Sequence, residues 1–168
     1  YKGLLTPWQF PQFFEDLRQP SFETSFVIFH QRYSTNTQPA WSLAQPFRYV
    51  AHNGEINTIV SNRRWLRAKE KQLCEKLTVG SWFQALEPNV SDSASFDNAV
   101  ELLLQSGRSL PHVMAMLIPE AWSGNPHMKA GKRAFYEYHC SLMEPWDGTA
   151  AIAFTDGRAI GATLDRKS

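Results

Sequence analysis

Apolar residues recur along the chain in patterns that predict both strands and helices. Two short runs, residues 24–29 and 48–51, combine β-branched or aromatic residues in the manner of buried strands. A third region, residues 151–162, is divided by Asp156 and Gly157, a pair that favours a tight turn, and therefore predicts a hairpin. Strands near both ends of the chain bracket the helical segments, which predicts a layered α+β domain.

Five further stretches show apolar spacing compatible with helices. They cover residues 10–17, 58–77, 96–107, 109–119 and 134–142. The third is the clearest, since its apolar residues fall at i, i+3, i+4, i+7 and i+8 from Phe96 to Leu104. The Ser/Asp cluster at residues 91–95 precedes this helix and is typical of an N-cap, so capping is the default role for Asp92.

Composition narrows the class of protein. The chain has 168 residues, of which 43% are hydrophobic, as expected for one globular domain. Its 17 basic and 16 acidic residues give a net charge of +1, which argues against nonspecific nucleic-acid binding. No stretch reaches the roughly 18 to 20 consecutive apolar residues that cross a bilayer, so we expect a soluble, cytoplasmic protein without a membrane partner.

Cysteine and histidine positions argue against two kinds of site. Cys74 and Cys140 lack C-x-x-C spacing, which excludes a disulfide scaffold and a thiolate zinc site as first interpretations. A histidine zinc site is the remaining metal alternative, but the five histidines are scattered without H-x-x-x-H spacing, so no metal is predicted. They are His30, His52, His112, His127 and His139.

The stretch at residues 49–57 contains a candidate oxyanion site. Its Asn53-Gly54 pair favours positive φ angles, which predicts that the chain reverses or bends sharply just after a strand. Gly54 can present its N–H without an obstructing Cβ, and Asn53 adds a side-chain amide. Two converging neutral donors suit a developing oxyanion, although an ordinary hairpin turn is the alternative.

Charged residues elsewhere could hold an amino acid. Arg32 follows the predicted strand at residues 24–29 and offers a planar guanidinium to a carboxylate, whereas Asp92 offers a carboxylate to an ammonium group. With Asn53 and Gly54 facing a side-chain carbonyl, these residues outline a glutaminase that lacks a nucleophile. Neither cysteine is predicted to supply one, because neither has a suitably placed histidine nearby.

Six strings in the chain resemble a known family. They are FHQRYSTNT, AQPFRYVAHNGEINT, NRRWLRAKE, SDSASFDNAVELLL, LIPEAW and MEPWDGTAAIAFTDGRAIGATLDR. They are similar to the class II glutamine amidotransferase domain of the glutamate synthase large chain, and most similar to the bacterial NADPH-linked type. The resemblance runs from Tyr1 to Arg166. It implies the N-terminal nucleophile hydrolase fold, a four-layer αββα sandwich, of which residues 1–168 would form an interior part.

The resemblance also implies residue roles. Arg32 would bind the glutamine α-carboxylate, with Thr35 a weaker candidate for the same group. Asn53 and Gly54 would form the oxyanion hole, and Asp92 would receive the α-ammonium group. The family nucleophile is a cysteine at the mature N-terminus, whereas this chain begins with Tyr1. We therefore expect that cysteine upstream and expect the isolated chain to be inactive.

For the whole enzyme, the resemblance implies hydrolysis of L-glutamine and transfer of the ammonia to 2-oxoglutarate. FMN, an iron–sulfur cluster and NADPH would be bound elsewhere, with none in this segment. The remainder of the large chain and a small electron-transfer subunit would be its partners. Two alternatives stay open: a fragment that folds without catalysis, and another class II amidotransferase of the glucosamine-phosphate or asparagine-forming kind. The latter should lack the segment that contains Glu-Pro-Trp-Asp-Gly.

Overall fold

A computed structural model describes residues 1–31, 38–77, 86–87 and 90–164, with the main chain alone for residues 71–77. The α-helices are α1 (Phe10–Phe13), α2 (Ile59–Leu77), α3 (Asp92–Gln105), α4 (Leu110–Leu117) and α5 (Ala130–Leu142). The strands are β1 (Val50–Ile56), β2 (Gly148–Thr155) and β3 (Ile160–Leu164). Short 3-10 helices span Glu15–Arg18 and Trp41–Leu43. The described part of the chain is thus a mixed α+β structure, as predicted.

The three strands form one antiparallel sheet in the order β1-β2-β3. β1 comes from the first third of the chain, and the β2-β3 hairpin lies near residue 164. The predicted turn joins β2 to β3. Gly157 has a φ of 83°, and Asp156 Oδ1 accepts hydrogen bonds from the N–H groups of Arg158 (2.9 Å) and Ala159 (2.8 Å). The hairpin prediction is confirmed because both arms and the turn depend on local sequence.

One hydrophobic core joins the sheet to helices α3 and α4. Val50 of β1, Phe96 and Val100 of α3 and Val113 of α4 are fully buried in it. Phe96 also meets Trp146 edge to face, with ring centroids 5.4 Å apart. Since helices α2 to α5 fall within or close to the predicted ranges, apolar periodicity located the helices that build this core.

The predicted strand at residues 24–29 is wrong. The structure assigns no strand there, and Val27 and Phe29 are each 69% exposed. A strand requires backbone hydrogen bonds to a neighbour, and no strand of the described residues pairs with this segment. The residue pattern indicates that an extended backbone is favoured. A strand also needs a neighbouring strand to supply its backbone hydrogen bonds. Within the described ranges, no helix has the length and apolar character needed to span a membrane.

Candidate functional site

Asn53 and Gly54 lie inside strand β1. Asn53 is opposite Ala151 and Gly54 is opposite Ala150 on β2, and the pairing continues to Ile56. The predicted chain reversal at Asn53-Gly54 is therefore wrong, since the turn comes only at residues 57–58, before α2. Asn-Gly pairs also occur where a strand must accommodate one unusual backbone angle without ending.

Gly54 is required by both its backbone angle and its surroundings. Its φ is 118°, which confirms the positive angle expected of this glycine. A Cβ at this position would stand 1.9 Å from the Thr149 carbonyl oxygen on the neighbouring strand. Side chains rarely adopt such an angle, and the carbonyl leaves no room for one. Asn53 and Gly54 are both exposed, so a ligand can approach the pair from solvent.

Asp92 begins helix α3 but does not cap it. Ser91 is the N-cap residue, and its hydroxyl oxygen accepts a hydrogen bond from Ala94 N at 3.1 Å. Asp92 Oδ2 instead accepts a bond from Ile56 N at 2.9 Å, across 36 positions of sequence. The structure thus brings the Asp92 carboxylate against β1, two residues beyond Gly54. The capping role considered for Asp92 belongs to its neighbour.

Three of the five predicted site residues therefore meet in one region, namely Asn53, Gly54 and Asp92. Arg32 and Thr35 lie outside the described residues, so their assignments to the α-carboxylate stay predictions. The described part of the site offers neutral donors on a strand and a carboxylate at a helix start. That combination can accept an ammonium group and stabilise a developing negative charge.

His52 is a further residue of the site that the sequence interpretation missed. Its ring is 2% exposed, and its Nδ1 lies 2.7 Å from Ser93 Oγ on α3. Burial lowers the pKa of His52, and the nearby Asp92 carboxylate opposes that effect. The ring is therefore neutral at physiological pH. Strand alternation could have found it, because His52 shares a face with the buried Val50 and Ile56.

Arg63 on α2 secures the start of α3. Its Nε donates to Ser95 Oγ at 2.9 Å, and its Nη2 donates to the Val90 carbonyl at 2.6 Å. Burial lowers the pKa of Arg63, and Asp92 again acts in the opposite direction. The Asp92 carboxylate thus lies in the field of a fixed cation on a neighbouring helix. Helix α2 therefore contributes to the site through the hydrogen bonds of Arg63, which hold the start of α3 in place.

The described histidine and cysteine side chains provide no obvious nucleophile. Burial raises the pKa of the Cys140 thiol, which disfavours the reactive thiolate. His139 precedes it on α5 and instead meets His112 of α4, with their Nε2 atoms 2.9 Å apart. Cys74 lies on α2 and its side chain is outside the described part. In the part that the structure describes, no three His, Cys, Asp or Glu residues converge as metal ligands.

Comparison with known proteins gives a consistent family match. The family model described as "Glutamine amidotransferases class-II" matches residues 1–168. The chain is 51% identical over 169 residues to the glutamate synthase [NADPH] large chain of Bacillus subtilis, covering 99% of this chain and 11% of that protein. It is 46% identical over 170 residues to the ferredoxin-dependent glutamate synthase of Cyanidium caldarium, with the same two coverages.

The match extends to a fungal relative with a different named electron donor. Glutamate synthase [NADH] of Schizosaccharomyces pombe is 47% identical over 171 residues, covering 99% of this chain and 8% of that protein. The chain thus spans about a tenth of the length of these relatives. Similarity to relatives named for NADPH, NADH and ferredoxin means that identity alone does not select an electron donor for this chain.

Proposed function

Because this chain belongs to the class II glutamine amidotransferases, we propose that it forms the substrate-binding part of a glutaminase site that hydrolyses L-glutamine to glutamate and ammonia. The observation that carries this proposal is the contact between Asp92 Oδ2 and Ile56 N at 2.9 Å. It holds a carboxylate beside the strand that presents Asn53 and Gly54. One amino acid with an amide side chain can use both features.

Each end of glutamine has a partner in this proposal. Asp92 accepts hydrogen bonds from the α-ammonium group, and Arg32 binds the α-carboxylate with its guanidinium, with Thr35 as a weaker additional contact. The side-chain amide of Asn53 and the N–H of Gly54 donate to the amide oxygen of the substrate. These two bonds strengthen as that oxygen becomes negative in the tetrahedral intermediate, which lowers the barrier to amide hydrolysis.

Because the chain spans about a tenth of the length of its relatives, we place the nucleophile, a cysteine thiolate, elsewhere in the whole protein. Its sulfur attacks the amide carbon, and the carbon–nitrogen bond breaks as the nitrogen takes up the proton that the thiol gave up and leaves as ammonia. Water then hydrolyses the thioester, which releases glutamate and regenerates the thiol. The raised pKa of Cys140 argues against that residue as the nucleophile. We therefore expect the isolated 168 residues to be inactive and a form extended to that cysteine to be active.

In the whole protein, we place this domain in a cytoplasmic glutamate synthase. The ammonia would aminate 2-oxoglutarate at a distant site that uses FMN, an iron–sulfur cluster and NADPH, assisted by a small electron-transfer subunit. The complete glutaminase domain would adopt the four-layer αββα sandwich of the N-terminal nucleophile hydrolases. The names of the relatives and the α+β character of the described residues support this assignment.

The proposed function is tested by Asn53→Ala in the complete protein. Loss of one oxyanion donor should lower glutamine-dependent turnover about a hundred- to a thousand-fold, or roughly 3 to 4 kcal/mol. Synthesis from added ammonia should persist because it bypasses amide hydrolysis. Both rates are measured on one preparation by oxidation of the reduced nucleotide, with glutamine or ammonium as the nitrogen source.

Asn125→Ala is the matched control, since it removes an amide side chain from the loop between α4 and α5. It should leave both rates near those of the unaltered protein. Equal loss of the two activities in Asn53→Ala would indicate general damage rather than a lost donor. Undiminished glutamine-dependent turnover would contradict the role of Asn53 and, with it, the proposed site.

A further inference from the structure

Two contacts join strand β1 to the first turn of α3, and they lie on either side of the Asn53-Gly54 pair. Before the pair, His52 Nδ1 lies 2.7 Å from Ser93 Oγ. After it, Ile56 N donates to Asp92 Oδ2 at 2.9 Å. His52 and Ile56 share the inward face of the strand, which is why both can reach the helix.

The two contacts are also connected within α3. Ser93 N donates to Asp92 Oδ1 at 2.8 Å, and the Ser93 hydroxyl lies 3.4 Å from the same oxygen. Ser93 is itself only 4% exposed. Bulk water therefore cannot replace His52 as the hydrogen-bond partner of the Ser93 hydroxyl. A displacement of the His52 ring would therefore be transmitted through Ser93 to the Asp92 carboxylate.

The His52 ring interacts with two neighbouring elements. Its Nδ1 faces Ser93 Oγ on α3, and the backbone of Thr149 on β2 also lies close enough to raise the pKa of the ring. Asn53 and Gly54 are exposed, and their pairing with Ala151 and Ala150 of β2 fixes them within the sheet. The contacts between the inward face of β1 and α3 then set the position of the pair relative to Asp92.

We propose that His52 is a positioning residue for glutamine hydrolysis, which acts through Ser93 to fix Asp92 relative to the Asn53-Gly54 donor pair. This inference rests on the proposed function. His52 does not touch the substrate. Its contact with Ser93 sets the separation between the group that receives the α-ammonium and the donors that receive the amide oxygen. A substrate held at both ends reacts efficiently only when that separation fits it.

Three variants of the complete protein test this role. His52→Asn places an amide nitrogen near the position of Nδ1 and should keep most of the glutaminase activity. His52→Gln places its amide near Nε2 instead and should lose the contact, and Ser93→Ala removes the same contact from the other side. Because a misplacement of about 1 Å can cost about a hundredfold, His52→Gln and Ser93→Ala should each lower glutamine kcat/KM about ten- to a hundred-fold.

The readouts separate positioning from general stability. Ammonia-dependent synthesis should be unchanged in all three variants, and the loss should include a raised KM for glutamine because Asp92 is displaced. The double variant His52→Gln/Ser93→Ala should be no worse than either single one, since both remove one contact. Unchanged glutamine kinetics in Ser93→Ala, equal activities of His52→Asn and His52→Gln, or additive losses would overturn the inference.

The outcome for Asn53→Ala distinguishes a failure of this inference from a failure of the proposed function on which it rests. If Asn53→Ala abolishes glutaminase activity while His52→Gln and Ser93→Ala retain it, only the positioning role fails. If Asn53→Ala has no effect on glutamine-dependent turnover, the proposed function fails first.

Discussion

At the scale of single residues, Gly54 illustrates what local sequence can and cannot reveal. The Asn-Gly pair correctly indicated a positive φ, because that preference belongs to the residues themselves. The pair did not reveal the reason, which is the Thr149 carbonyl on a strand that is 95 positions further along the chain. Strand alternation could have indicated the burial of His52, but not its contact with Ser93, since that partner belongs to a distant helix.

Replacement of Gly54 by alanine should be far more costly than the same change at Gly157. Both residues have positive φ, which disfavours alanine by about 1 to 2 kcal/mol. At Gly157 a Cβ meets nothing within 4 Å, whereas at Gly54 it overlaps a backbone carbonyl. Gly54→Ala should therefore lose a further 1 to 3 kcal/mol or so of unfolding free energy, as overpacking does.

The two glycine variants can be compared by chemical denaturation followed through tryptophan fluorescence. A lower midpoint for Gly54→Ala than for Gly157→Ala, with similar denaturant slopes, is the expected result. Equal midpoints would mean that the β1-β2 pairing at Thr149 accommodates a side chain, and that the need for glycine is conformational alone.

At the scale of elements, the helices and the hairpin were predicted because their signals are local. The strand predicted at residues 24–29 is absent from the structure, because a strand depends on a partner that a residue pattern does not identify. The contacts between α3 and β1 could not be predicted from the sequence either. Asp97 lies in the apolar run of that helix, yet its Oδ1 accepts the N–H groups of Tyr49 (2.9 Å) and Val50 (3.1 Å). Two aspartates of α3 thus hold opposite ends of β1.

Removal of the buried Asp97 carboxylate should destabilise this junction. Asp97→Ala leaves two backbone N–H groups without their acceptor, at a cost of about 2 to 5 kcal/mol. Glu101→Ala is a matched control, because Arg48 forms ion pairs with both Asp97 and Glu101, but the Asp97 side chain is 3% exposed and that of Glu101 is 31% exposed. Its cost should stay below about 1 kcal/mol. Similar losses of unfolding free energy for the two variants would contradict a special role for Asp97.

At the scale of the whole molecule, the resemblance of strings along the chain identified the family, and the match over residues 1–168 confirms it. The geometry could not be predicted from the sequence, because it brings together distant residues, such as Val50 of β1 and Phe154 of β2. Among the described residues, Trp8, Val27, Phe29 and Trp41 remain largely exposed.

Stability should fall as the pH falls below about 6.5, the ordinary pKa of histidine. Burial, followed by the charges of His112 and Arg108, lowers the pKa of His139 in the folded chain. Burial likewise lowers that of His52. At pH values between the lowered histidine pKa values of the folded chain and the ordinary histidine pKa, the unfolded chain binds more protons than the folded chain. Protonation therefore favours unfolding in this range.

This pH dependence is measured by denaturation midpoints between pH 5 and 8, a window set by the ordinary histidine pKa of about 6.5. His139→Gln should flatten the acid side of the profile, and the exposed His127→Gln should leave it unchanged. An equally steep acid loss in His139→Gln would assign the effect to other groups.

The central claim is that Asn53-Gly54 and Asp92 hold opposite ends of one glutamine. The most direct measurement is a crystal structure of the complete protein with L-glutamate, the hydrolysis product, bound in the glutaminase domain. We predict a side-chain oxygen of the ligand within hydrogen-bond distance of Asn53 Nδ2 and Gly54 N, with the α-ammonium on Asp92. Glutamate bound in the reverse orientation, or in a cleft that excludes these residues, would contradict the account.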